Sequence, residues 1–213
     1  MFREHWKNQL WSMEHSARSW GRWIQARMTI VRLSDDSLFL ISPVRLTKQL
    51  QGRLEVLGPV RHISVPNKFH PHTHQGVGVN PFPWEDYVRA YPEAKRYAPP
   101  GLDKKRKDLH VDRILQDSPE PPWKEDLDQT IFQGAPVLEE VAFFHRVSQT
   151  LILGDLGRVR TASFLRWGLL NHRAARRSLE KILDWDFGRI IAYDRIWEQN
   201  GKDALRKAYA WLL

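Results

Sequence analysis

His70, His72 and His74 alternate within Phe69-His70-Pro71-His72-Thr73-His74-Gln75-Gly76. A neutral imidazole binds zinc through a nitrogen lone pair at about 2.0 to 2.1 Å, so three imidazoles this close can converge on one ion. A His-rich tract is equally a compositional feature that need hold no ion. The tract follows an apolar run ending at Val65, and α/β proteins place ligands in loops at the C-terminal ends of strands. A carboxylate would complete the ligand set, and Asp155 is the candidate. Thr150-Leu151-Ile152-Leu153-Gly154-Asp155 reads as an apolar strand that delivers an acid at its end. There the acid can bind the ion or act catalytically by orienting a bound water; the alternative is a cap on the helix that follows.

A second group of residues is basic. Between Leu156 and Leu179 there is no acid, whereas Arg158, Arg160, Arg166, Arg173, Arg176 and Arg177 are present with Trp167 among them. Such a field can hold phosphates or dock an acidic partner, whether protein subunit or nucleic acid; a solvated helix face has the same composition. Lys104-Lys105-Arg106-Lys107 lies between Asp103 and Asp108 and is an ordinary charged loop. His145 ends an apolar run, which suits a structural hydrogen bond better than ligation, and His172 has no assigned role.

These residues need elements to position them. A chain of 213 residues fits one domain, and 42% hydrophobic content is enough to form a core. No cysteine is present, which excludes disulfides, thiolate catalysis and Cys-based metal centres. The net charge of +8 invites an acidic partner. No apolar run approaches the roughly 20 residues of a membrane span, so the expectation is a soluble intracellular protein. Residues 1–27 form a basic arm with Trp6, Trp11, Trp20 and Trp23; an organelle presequence is the alternative reading, weakened by Glu4 and Glu14. The remainder, 28–213, is the domain proper.

Met28–Leu33 and Ser37–Ser42 flank Ser34-Asp35-Asp36 and predict a hairpin. Leu46, Leu50, Leu54 and Leu57 recur at helical spacing until Gly58-Pro59 stops them, and Val60–Val65 is again a strand. Trp84–Ala90 reads as helix and Lys95–Ala98 as strand, while 103–128 reads as surface loop. Leu138–His145 and Gln149–Leu153 form a second hairpin. A helix capped by Asn171 follows, then a strand at Arg189–Tyr193 and a final helix around Ala204–Leu212. The fold class is α/β or α+β with a mixed sheet.

Several stretches together resemble the metallo-β-lactamase fold superfamily, and within it an uncharacterised family of short metallo-β-lactamase-like proteins of bacteria and plants. They include Arg27–Leu33, Gly58–Ile63, Pro66-Asn67-Lys68-Phe69-His70, Tyr91–Lys95, Tyr97–Leu102, Phe143-Phe144-His145 and Trp185-Asp186-Phe187. The resemblance implies a single-domain αββα sandwich with a metal site on one edge of its paired sheets. The superfamily motif His-x-His-x-Asp-His falls on His70-Pro71-His72-Thr73-His74-Gln75, with His74 in the Asp position and Gln75 in the last. Its Gly-His-Thr motif falls on Gly134-Ala135-Pro136, Asp155 matches the bridging aspartate, and Tyr193 stands where a final histidine is usual.

The implied reading is a mononuclear metal-dependent hydrolase with a degenerate site. One zinc or iron ion would be held by His70, His72, His74, Asp155 and Tyr193, and a chain with no ion at all is the equal alternative. In that case the chain is a non-catalytic descendant serving as a binding or structural subunit, or a nucleic-acid binder acting through its arginines.

Overall fold

The computed structural model describes residues 1–19, 22–68, 84–157 and 159–213. Among these, two sheets carry the fold. The first runs in chain order through β1 (Phe2–Trp6), β2 (Leu10–Ser19), β3 (Arg22–Arg32), β4 (Leu38–Ile41), β5 (Val60–Ser64), β6 (Lys95–Ala98) and β7 (Arg113–Ile114). Strands β1 to β4 pair antiparallel, and β4 to β7 pair parallel. The second sheet contains β8 (Leu127–Phe132), β9 (Glu140–His145), β10 (Thr150–Ile152), β11 (Arg189–Ile191) and β12 (Ile196–Trp197), in the order β12-β11-β10-β9-β8. Only β10 and β11 are parallel there. Each sense follows from its connection: a tight turn returns β3 to β4, whereas β4 reaches β5 through α1 (Lys48–Leu57).

Alternation along the strands produces the layers. In β4, Leu38 and Leu40 face α1 and α2 (Trp84–Ala90), whereas Phe39 and Ile41 face the other sheet. In β9, Val141 and Phe143 point between the sheets, and Ala142 and Phe144 point outward to α4 (Val159–Gly168), α5 (His172–Asp184) and α6 (Gly201–Ala208). Period-2 apolar strands buried on both faces therefore generate three apolar layers, helix-sheet, sheet-sheet and sheet-helix. This is the αββα sandwich. Phe39 lies at its centre, stacked on Trp123 at 4.4 Å and edge-on to Phe143 at 5.5 Å.

The helices begin and end where their residues require. Thr47 Oγ1 accepts from the Leu50 amide at the start of α1, and Asn171 Oδ1 accepts from Ala174 at the start of α5. Gly58 closes α1 with a φ of 153°, its amide returning to Leu54 O. Leu50 and Leu54 are buried on α1; Ala175, Leu179 and Ile182 are buried on α5, at the spacing the sequence indicates.

Two expectations need correction. Residues 103–128 are not simply a surface loop. They contain α3 (Leu102–Lys105, which begins just before them), β7 and a 3₁₀ turn at Pro121–Trp123. Leu115 and Trp123 from this segment are fully buried between the sheets, Trp123 at the end of the turn that the proline pair begins. Strand β8 was also absent from the sequence reading: Asp128, Gln129 and Thr130 interrupt its apolar pattern, since Gln129 bonds Trp123 Nε1 at 2.9 Å and Thr130 bonds Asp117 at 2.7 Å. As for residues 1–27, they supply β1, β2 and the first half of β3, so position 27/28 lies inside a strand of the larger sheet. Trp11 is buried there and Trp6 is exposed.

Candidate functional site

The C-terminal end of β5 leads into Val65-Pro66-Asn67-Lys68, which crosses to the second sheet. Pro66 O accepts from Val141 N at 2.8 Å, and the Lys68 amide donates to Leu138 O at 3.3 Å. Lys68 Nζ reaches Pro136 O and the Glu139 carboxylate. The ends of β5 and β10 and the start of β9 are thereby joined, and the polar residues they carry meet at that junction.

Asp155 opens a 3₁₀ turn, Asp155–Gly157, directly after β10, and it is buried. Its Oδ2 accepts from Asn67 Nδ2 at 3.0 Å. The same amide nitrogen donates to Glu140 Oε2 at 2.6 Å, so Asn67 bridges two carboxylates. Glu140 also accepts from the backbone N–H groups of Gly154 at 2.8 Å, Asp155 at 2.7 Å and Leu156 at 3.1 Å. It thus does for the turn what an N-cap does for a helix, satisfying amides that have no partner of their own. Burial, and secondarily the Asp155 charge, pushes the Glu140 carboxyl up to about 8, against the lowering effect of these donors. Gly154 makes the cluster sterically feasible: a Cβ there would lie 2.9 Å from Asn67 Nδ2, from Glu140 Oε2 and from Pro66 Cγ.

The turn between β11 and β12 forms the next side of the site. Tyr193 N donates to Gly154 O at 3.4 Å, beside Asp155, and the ring packs partly buried against the first sheet's helix-facing layer. Arg27, buried in β3, donates to Ala192 O at 2.7 Å and to Glu14 at 2.5 Å, which ties this turn to the larger sheet. Tyr209 donates to Leu156 O at 3.0 Å, and burial raises its phenol well above the usual value.

Of the residues singled out in the sequence, Asp155 and Tyr193 are brought together at this edge. His70, His72 and His74 lie outside the described residues, although His70 follows Asn67 by three positions. Ala135, on which the Gly-His-Thr motif falls, is 1% exposed within the sheet-helix core, a space already filled with apolar atoms. Glu140 and Asn67 were missed. The available signal for Glu140 was an acid within an otherwise apolar strand, Glu140-Val141-Ala142-Phe143-Phe144, which is buried at every position. His145, at the opposite end of β9, bonds Ser148 Oγ at 2.7 Å, and burial lowers its imidazole to about 4, as suits a structural role.

Arg158 and the Arg160 side chain lie outside the described residues. Arg166 on α4 and Arg173, Arg176 and Arg177 on α5 are exposed, and Arg176 pairs with Glu180 at 2.9 Å. The run thus spans two helices. Their junction is fixed from beneath, since Gly134 O accepts from both Leu170 N at 3.0 Å and Asn171 N at 3.1 Å.

Among the described residues no group of three or more His, Asp or Glu side chains is placed to hold a metal ion. Nor is any described helix long and apolar enough to cross a membrane.

Residues 7–160 match the profile of a family described as a domain of unknown function, DUF4336. No curated protein matches. Among solved structures, a metallo-beta-lactamase from Pontibacter korlensis superposes with a TM-score of 0.68 at 11% identity, covering 100% of this chain and 98% of that one. A metallo-beta-lactamase from Hirschia baltica gives 0.68 at 14% identity, with 100% and 96% covered. A mutant flavo di-iron protein from Thermotoga maritima gives 0.69 at 10% identity, with 100% of this chain matching 62% of that one. At such identities the likeness establishes the metallo-β-lactamase fold.

Proposed function

The chain belongs to the DUF4336 family, and from that membership, its metallo-β-lactamase fold and its polar sheet edge we propose a mononuclear metal-dependent hydrolase, with one zinc or iron ion held by His70, His72, His74 and Asp155. One observation carries the reading: Asp155 is hydrogen-bonded through its Oδ2 to Asn67, in the segment that runs into the three histidines. Asn67 orients the aspartate, and Glu140 orients Asn67 and the turn that bears Asp155. Outer partners of this kind set ligand geometry, and their loss typically weakens metal binding about 10- to 100-fold.

The donor set fits one ion and not two. Glu140 already accepts from four N–H donors, counting Asn67 and three backbone amides, and Ala135 offers no imidazole. Tyr193 adjoins through its backbone. When bound, such an ion supplies Lewis acidity toward an ester, thioester or phosphodiester at neutral pH. The protein's part is to hold Asp155 in place. Calorimetric zinc titration tests this: the parent binds one equivalent, Asp155→Ala removes binding, and Asn67→Ala weakens it about 10- to 100-fold. Full binding by Asp155→Ala contradicts the assignment.

Ala135 favours a second reading. With the place of the Gly-His-Thr imidazole closed by core packing at Ala135, the fold can serve as a binding or structural subunit without an ion. A parent protein that binds no zinc in the same titration selects it.

A further inference from the structure

We propose that the exposed face at the α4–α5 junction binds the phosphodiester backbone of single-stranded nucleic acid. Arg166 stands in the last turn of α4 and Arg173 in the first turn of α5, so the two flank the junction, and Arg177 follows one turn further along α5. All three are exposed, and among the described residues none of the three makes an ion pair, unlike neighbouring Arg176. Other charged helices here neutralise themselves, as with Arg89–Asp86 on α2 and Arg206–Asp203 on α6. This face lacks acids from Leu156 to Leu179.

The placement of the cations is itself unfavourable. The first turn of α5 holds His172 and Arg173 and no acid, at the positive end of a helix dipole where a cation costs about 0.3 to 1 kcal/mol. The positive potential of the helix end adds to that of the guanidiniums, which suits an anion.

Aromatic and apolar groups accompany the charge and distinguish the ligand. His172 meets the half-buried Trp211 edge-on with ring centroids 6.2 Å apart, and Leu170 is 80% exposed between the two helices. Cations tracking a backbone beside rings and apolar surface that bases can cover are the elements of single-strand recognition. The platform is anchored: the other face of α5 is buried through Ala175, Leu179 and Ile182, and the junction hangs on Gly134 O.

The test is fluorescence anisotropy with a labelled 20-nucleotide oligo(dT) strand between 50 and 200 mM salt, a readout that needs no turnover and is independent of the metal site. The variant R166Q/R173Q/R177Q keeps good helix formers, and K48Q/R61Q/K95Q removes the same charge from exposed positions elsewhere. Three phosphate contacts contribute a slope of about −2 in log affinity against log salt for a single strand. The first variant is expected to lose at least tenfold in affinity at 50 mM salt and to have a slope shallower by about 2, while the second stays within threefold of the parent. Should the triple variant fold poorly, R173Q/R177Q is expected to lose about two thirds of that slope. Absence of parent binding at 50 mM salt, equal losses in both variants, or no loss in the first overturns the proposal.

Discussion

Replacing Glu140 by alanine probes how the site is held. The carboxylate accepts from Asn67 Nδ2 and from the backbone amides of Gly154, Asp155 and Leu156, in a position with no solvent exposure. Alanine leaves the three backbone amides without this acceptor, whereas Asn67 keeps Asp155. A buried unsatisfied donor costs about 1 to 3 kcal/mol, and the low end applies because water can enter the vacated space. At pH 4.5 the buried carboxyl is protonated and a free one half so, which leaves under about 0.5 kcal/mol to be relieved, so the net loss is about 3 kcal/mol. For a chain of this size that lowers Tm by about 6 to 12 °C. Glu140→Gln preserves shape and one acceptor oxygen but turns an NH2 group toward donors, so at least half of the loss is expected to remain. Urea unfolding and a thermal melt of parent and variants at pH 4.5 provide the measurement. A Glu140→Ala protein within about 1 kcal/mol of the parent refutes the role assigned to this carboxylate.

Phe39→Ala removes the ring stacked on Trp123 between the sheets and is expected to cost about 4 kcal/mol in urea unfolding. Gly134→Ala places a Cβ 2.3 Å from Asn171 O at a φ of 86°; a loss of at least about 2 kcal/mol is expected, with faster hydrogen exchange at the Leu170 and Asn171 amides. Burial lowers the His145 imidazole from 6.5 to about 4. The folded form therefore stays neutral while the unfolded chain takes up a proton, and the stability this provides is complete above about 6.5 and lost as pH falls towards 4. Between pH 7 and pH 5 the parent should lose about 2 kcal/mol more than His145→Gln, and equal losses would count against a buried neutral imidazole.

Much of the fold is legible where local chemistry and tertiary demand agree. Thr47 and Asn171 cap helices because their side-chain oxygens reach the N3 amide, and both α1 and α5 begin beside them. Gly58-Pro59 ends α1 for backbone reasons that the residues state outright. Legibility fails where a polar residue is buried by a distant partner. Gln129 and Thr130 conceal β8 because their partners are Trp123 and Asp117, which no periodicity reveals. Trp123 itself sits in a Pro-rich segment with the composition of a loop. In the site, Asp155 could be identified because an apolar strand points to it, whereas Asn67 and Glu140 acquire meaning only when the segment after β5 meets the start of β9. Ala135 makes the opposite point: a motif position assigned by likeness proves to be packed core.

The central claim is a single ion at the Asp155 edge, and elemental analysis by inductively coupled plasma mass spectrometry tests it most directly. Purified parent protein, dialysed after exposure to zinc or iron, should retain one equivalent per chain, and Asp155→Ala prepared in the same way should retain none. Two tightly held equivalents, no retained metal in the parent, or one full equivalent in Asp155→Ala would contradict the account.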